Sequence, residues 1–102
     1  MVLERLIKEK PSATAHERLG FSQFKQRRFP QALASFRAAL ALDPNDTSAL
    51  NGLGVSLMTQ YIQGDRANTA LRDEALASWR KSVQLRPDQP RIVDLISRYQ
   101  RL

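Results

Sequence analysis

A pattern of small and large residues occurs twice in this chain, and the second copy ends 43 residues after the first. Each copy has a leucine followed by a glycine, then an alanine with an aromatic residue four positions later, and last a proline. The two copies are Leu19, Gly20, Ala32, Phe36 and Pro44, and Leu53, Gly54, Ala75, Trp79 and Pro87. A pattern repeated at this period indicates similar units that bury their apolar faces only by stacking on each other.

Apolar residues within each copy recur at helical spacing, and no segment alternates for long enough to form a strand. Ser12 and either Asp46 or Thr47 are candidate N-caps, Pro30 suits a first helical turn, and Pro44 ends a helix. The sequence therefore predicts an all-α chain. The expected helices lie at about 12–26, at about 30–42, from 47 to a break at 64–65, from a start between 66 and 69 to the residue before Arg86, and at about 89–101.

The glycines of the pattern indicate close helix packing. Gly20 and Gly54 lie inside predicted helices, where glycine costs about 1 kcal/mol relative to alanine. A neighbouring helix at short distance explains that cost. Ala32 and Ala75 permit the same approach on the second helices, and we expect the large aromatic residues of the pattern to fill the gaps between hairpins.

These residues resemble the signature of the tetratricopeptide repeat, a helix–turn–helix unit of about 34 residues. The resemblance implies a right-handed stack of antiparallel helix hairpins, with about five helices plus a short N-terminal helix. It divides a single domain into 1–11, repeat 12–46, repeat 47–88 and cap helix 89–102. Residues 1–11 are either the tail of a preceding repeat or a cap. The short length and the Asp43–Asp46 linker are similar to bacterial-style members.

The chain departs from the family pattern in two ways. His16 and Leu50 stand where an aromatic residue is usual, as do Gln23 and Leu57 one turn later. The second copy also has 9 additional residues between its glycine and its alanine. We expect this insertion, within 58–73, to lengthen both helices of the hairpin by a turn or more. The longer part either projects Tyr61, Ile62 and Leu71 outward or buries Tyr61 against Leu71.

In the family, the first helices of successive hairpins line a concave groove that takes a partner peptide. The resemblance places such a groove at Thr14, Glu17, Phe21, Phe24, Lys25, Asn51, Val55, Met58, Arg91, Asp94 and Arg98. Aromatic residues and methionine suit peptide-binding surfaces, and the flanking cations suit an amphipathic partner helix with acidic residues. Alternatively, Phe21 or Phe24 belongs to the core, or the N-terminal segment or a second copy fills the groove.

Chaperone-binding members of the family hold a C-terminal carboxylate with lysines, asparagines and an arginine. The matching positions here are Glu17, Phe21, Gly52, Arg91 and Leu95, of which only Arg91 fits. Glu17 would repel a carboxylate. The sequence therefore disfavours that kind of co-chaperone role.

Several other classes of function lack support. His16 is the single histidine and occupies a packing position, cysteine is absent, and there is no glycine-rich phosphate loop, so we predict no catalysis, no cofactor and no metal site. No apolar run reaches the roughly 18 residues that span a membrane, and the first residues lack a signal-peptide pattern. A cytoplasmic location is the expectation for a full-length protein.

The net charge of +6 is shared equally by the two halves, without a basic arm. Lys25, Arg27 and Arg28 beside Phe24 and Phe29 give weak support to nucleic-acid binding. The leading hypothesis is a non-catalytic adaptor or assembly module that binds a partner peptide. The alternatives are a self-associating module, including a homodimer, or a domain of a larger protein, with nucleic-acid binding as a weaker third.

Overall fold

The computed structural model describes residues 12–64 and 66–101, which form five α-helices and no strand. The helices are α1 (Ala13–Lys25), α2 (Phe29–Leu42), α3 (Thr47–Gln63), α4 (Thr69–Leu85) and α5 (Pro90–Tyr99). The main contacts join α1 to α2, α3 to α4, α2 to α3 and α5 to α4. Because short loops join successive helices, neighbours pack antiparallel. The predicted all-α hairpin stack is confirmed, while the expected N-terminal helix at 1–11 lies outside the described residues.

The helix starts follow the capping signals in the sequence. Ser12 Oγ accepts the Ala15 N–H at 3.0 Å, and Asp46 Oδ1 accepts the Ala49 N–H at 3.1 Å. Asp46, rather than Thr47, is therefore the cap of α3. Each cap pairs one backbone N–H that the first helical turn leaves without a partner.

A tight reversal at Arg27 separates α1 from α2. Arg27 has a φ of 62°, in the left-handed region that is costly for a residue with a Cβ. Its N–H donates to Phe24 O, and the Arg28 N–H donates to Gln23 O, both at 2.9 Å. These two bonds pair the last carbonyls of α1 and turn the chain directly into α2.

Phe36 joins three helices at one point. The ring belongs to α2 and is 0% exposed. A Cβ at Gly20 of α1 would lie 2.7 Å from this ring, and a Cβ at Gly52 of α3 would overlap it. Glycine at both positions therefore lets α1 and α3 approach the same ring. The sequence pattern marks Gly20, but Gly52, two residues before the signature glycine Gly54, was missed as a packing residue.

Trp79 repeats this arrangement in the second hairpin. It is 1% exposed, and a Cβ at Gly54 would overlap its indole ring. The indole Nε1–H donates to the Asn51 backbone oxygen at 3.3 Å. On its other side the indole lies 6.2 Å from the Tyr99 ring, measured between centroids. Trp79 thus connects α4 with both α3 and α5.

The second hairpin is longer than the first. α3 and α4 have 17 residues each, whereas α1 has 13 and α2 has 14. Tyr61 is 6% exposed and belongs to the core, and Ile62 and Leu71 are half-buried against that core. The additional length therefore packs inward at these three residues instead of projecting them into solvent.

We expect Gly52→Ala to lower the free energy of unfolding by about 1–2 kcal/mol, because the added methyl group overlaps the buried Phe36 ring. This is the net change, since the strain of the overlap outweighs the gain of about 1 kcal/mol that alanine usually brings to a helix interior. Urea denaturation followed by circular dichroism measures the change.

Gly64→Ala is the matched control, because Gly64 caps α3 and an added Cβ there would approach only the Gln60 carbonyl oxygen, at 3.2 Å. That contact is tighter than ordinary van der Waals contact but involves no buried ring, so a change clearly smaller than that of Gly52→Ala is expected there. A Gly52→Ala protein as stable as the wild type would contradict the packing role assigned to Gly52.

Candidate functional site

Two adjoining cavities lie along the seam between α3 and α5. The larger is about 450 Å³ and is lined by Asn51, Val55, Gln89, Pro90, Arg91, Ile92 and Leu95. The smaller is about 250 Å³ and is lined by Val55, Met58, Thr59, Ile62, Trp79, Arg91, Leu95 and Tyr99. Because three residues line both cavities, the two form one continuous surface, which we call the α3–α5 groove.

Gln89, the residue before α5, fixes the polar end of this groove. Its Oε1 accepts from Asn51 Nδ2 at 2.8 Å. Its Nε2 donates to the Ser82 backbone oxygen at 3.1 Å and to the Arg86 backbone oxygen at 2.8 Å. One amide thus pairs carbonyls at the end of α4 and also holds the Asn51 side chain of α3, so Gln89 sets where α5 begins.

Helix α5 forms the outer wall of the groove and is only partly covered. None of its residues is buried. Ile92, Leu95, Ile96 and Tyr99 are half-buried against the core, and Val93 is 46% exposed. The opposite wall is different, since Met58 of α3 is 3% exposed and Trp79 of α4 is 1% exposed. The groove therefore has one firmly packed wall and one lightly held wall.

Four of the residues predicted for the site come together here. Asn51, Val55 and Met58 line the groove from α3, and Arg91 lines both cavities from the first turn of α5. Met58 also belongs to the hydrophobic core. Val55 and Arg91 are therefore the predicted residues that line the whole length of the groove while remaining accessible to solvent.

The predicted residues of α1 lie elsewhere. Phe21 packs edge-on against Phe36 at a centroid distance of 4.9 Å, and Phe24 packs against Phe29 at 5.4 Å. Both are half-buried against the core, as one of the sequence-based alternatives expected. Two further residues, Thr14 and Lys25, are exposed. No α1 residue lines either cavity of the α3–α5 groove.

Glu17 is engaged at the contact between α1 and the start of α3. Its burial raises the pKa of the carboxyl group, and the neighbouring carboxylate of Asp46 raises that pKa further, while a hydrogen bond from Ser48 lowers it. Asp46 is the N-cap of α3, and its side chain is held by the hydrogen bond from the Ala49 N–H. Glu17 therefore serves a contact between helices and lines neither cavity of the groove.

The last two predicted residues form a pair on α5. Arg98 donates to Asp94 at 3.0 Å, one helical turn apart, and both side chains are more than half exposed. Asp94 lines a separate open cavity of about 460 Å³ together with Pro87 and Val93. Neither charge lies along the α3–α5 groove.

Sequence reasoning missed the part that Gln89, Ile62 and Tyr99 play in the groove. The apolar spacing of the last helix marks the side of α5 on which Tyr99 lies. Nothing local marks Gln89 as part of the groove, because its partner there, Asn51 of α3, lies 38 residues earlier in the chain. Only the packing of α3, α4 and α5 brings them together.

Within the described residues, no helix is long and apolar enough to cross a membrane. The same part of the chain contains no group of three or more histidine, cysteine or acidic residues placed to hold a metal ion.

We expect Gln89→Ala to loosen α5 selectively, because the substitution removes the hydrogen bonds that hold its start and α5 has no buried residue to compensate. Hydrogen exchange should accelerate several-fold at residues 92–99 and change little in α1 and α2. Gln84→Ala is the matched control, since Gln84 is exposed on α4. Unchanged exchange in α5 of the Gln89 variant would contradict this role.

We expect Glu17→Gln to be more stable than the wild type at pH 7. The pKa of Glu17 is raised in the folded state, so the folded protein binds more protons than the unfolded chain above the usual value of 4.5. Wild-type stability therefore falls as pH rises through this window, and the variant escapes that loss. Urea denaturation at several pH values should show an advantage that disappears below about pH 4. An equal advantage at every pH would argue against this origin.

Comparison with known families found that residues 13–46 match the family described as tetratricopeptide repeat. The match covers α1, α2 and the loop that leads into α3, which is about a third of the chain. A search of curated proteins found no match. Repeats of this family are generally non-catalytic and serve protein–protein interaction. Residues 13–46 are therefore similar to a tetratricopeptide repeat, and α3, α4 and α5 continue the helical stack beyond the matched segment.

Proposed function

We propose that this protein is an adaptor or assembly module that binds a peptide segment of a partner protein in the α3–α5 groove. The observation that carries the proposal is the continuous, mainly apolar surface formed by the two adjoining cavities. Concave apolar surfaces with a few polar groups are the usual form of a binding site. Because the repeat family generally serves protein–protein interaction, a protein segment is the class of ligand that fits.

The geometry favours α3 and α5 as the walls of the binding surface. The aromatic residues of α1 pack against Phe36 and Phe29, so their rings are already engaged within the fold. Val55 and Arg91 remain accessible on opposite walls of the groove. A bound segment would cover the half-buried side chains of α5 and add the apolar contacts that this helix lacks.

Site-specific photo-crosslinking in a nuclease-treated lysate of the source organism tests this proposal. A photoreactive residue at Thr59, which lines the smaller cavity, should form a discrete crosslink to another protein. The same residue at Ala34, exposed on α2 and outside the groove, should not form that crosslink. Val55→Lys should reduce the Thr59 crosslink at least tenfold, because it places a charge in both cavities.

Val93→Lys is the matched control, since Val93 is 46% exposed on α5 and lines neither cavity of the groove. It should leave the crosslink unchanged. A Thr59 crosslink to a second copy of this chain would favour the self-associating alternative. Equal yields from Thr59 and Ala34, or a yield that Val55→Lys does not reduce, would exclude peptide capture by this groove.

A further inference from the structure

The α3–α5 groove contains a single ionised side chain among the described residues that line it. That side chain is Arg91, and every other lining residue is apolar or an uncharged polar residue. Arg91 lines both cavities, as do Val55 and Leu95. Arg91 therefore lies where the two cavities meet.

The ion pairs among the described residues are Arg37 with Glu74, Arg72 with Asp73 and Arg98 with Asp94, and none of them includes Arg91. Asp94, the acidic residue of α5, pairs with Arg98 at 3.0 Å. Glu17 is engaged with Asp46 and Ser48 at the start of α3. Arg91 is exposed, so a charge-assisted hydrogen bond to a ligand carboxylate would not require an existing pair to break.

The two cavities that meet at Arg91 differ in the residues that line them. The smaller one, about 250 Å³, has Met58, Trp79 and Tyr99 in its lining and accommodates an apolar side chain. The larger one, about 450 Å³, combines Ile92 and Pro90 with the amides of Asn51 and Gln89. It accommodates a second apolar side chain together with polar backbone.

We propose that the groove selects a peptide segment in which an acidic side chain stands between two apolar side chains. The acidic group pairs with Arg91, and the apolar side chains enter the two cavities. This inference rests on the proposed function and specifies its ligand. Because a cavity adjoins Arg91 on each side, the bound segment continues past the acidic group, which is therefore an internal Asp or Glu side chain and not a chain-terminal carboxylate.

Selection from a phage-displayed library of random peptides tests the inference with the intact chain. The wild type should enrich peptides with Asp or Glu between two apolar residues, and amidation of the C-terminus of the synthetic peptides should leave binding unchanged. Arg91→Glu should bind these peptides at least tenfold more weakly, and its own selection should replace the acidic residue with Lys or Arg. Glutamate in the first turn of α5 suits the helix dipole, so this variant should keep its fold.

Arg80→Glu is the matched control, because it changes the net charge equally at an exposed position of α4 that lines neither cavity. It should bind the selected peptides as the wild type does. Equal binding by Arg91→Glu, enrichment without an acidic residue, or dependence on a free C-terminus would overturn the inference.

The Val55→Lys variant distinguishes two cases: the acidic preference is wrong, or the groove does not bind peptides at all. If it abolishes binding of peptides that Arg91→Glu still binds, the groove binds peptides but the acidic preference is wrong. If no peptide is enriched, or if Val55→Lys has no effect on the enriched peptides, both proposals fail. Circular dichroism of each variant confirms that it remains helical.

Discussion

Two buried aromatic rings packed on helical glycines hold this structure together. Phe36 lies against Gly20 and Gly52, so one ring fixes the distances from α2 to α1 and to α3. Trp79 lies against Gly54 and also approaches Tyr99, and in this way it fixes α4 between α3 and α5. Glycine inside a helix costs about 1 kcal/mol relative to alanine, and burial of a large aromatic side chain at close contact offsets that cost. The stack is therefore specified by a few pairs of very large and very small residues.

The same packing explains the unequal walls of the groove. Met58 and Trp79 belong to the core and also line the smaller cavity, so the inner wall cannot move without disturbing the core. Helix α5 has no buried residue and depends on half-buried contacts and on the hydrogen bonds of Gln89. A ligand that binds both walls would stabilise α5 by an amount that grows with the logarithm of its concentration relative to its Kd, because it binds the folded form alone. Under the proposed function, peptide binding and the order of the last helix would therefore be coupled through this wall.

Local pairing, rather than net charge, decides which charges are available to a ligand. The chain carries a formal charge of +6, but exposed charges farther apart than about 8 Å are largely screened at physiological salt. Arg37 donates to Glu74 through its two terminal guanidinium nitrogens, at 2.6 and 3.0 Å. Arg98 donates to Asp94. Arg91 is the cationic residue that lies where the two cavities of the α3–α5 groove meet. Under the proposed function, that position would give Arg91 more influence on ligand choice than the overall positive charge has.

The sequence alone determined the helical class, the cap at Ser12, the hairpin pattern and the packing glycines Gly20 and Gly54, because each of these depends on local spacing or on local backbone chemistry. It left the cap of α3 open between Asp46 and Thr47, and the structure decided for Asp46. It also marked Asn51, Val55, Met58 and Arg91 as candidate site residues. Only the tertiary structure showed that Phe21 and Phe24 pack within the fold and that Gly52 receives the Phe36 ring. It alone joined Gln89 to Asn51 and Ser82. The physical reason is that periodicity identifies the apolar face of a helix, whereas the partner of that face depends on contacts between residues far apart in the chain.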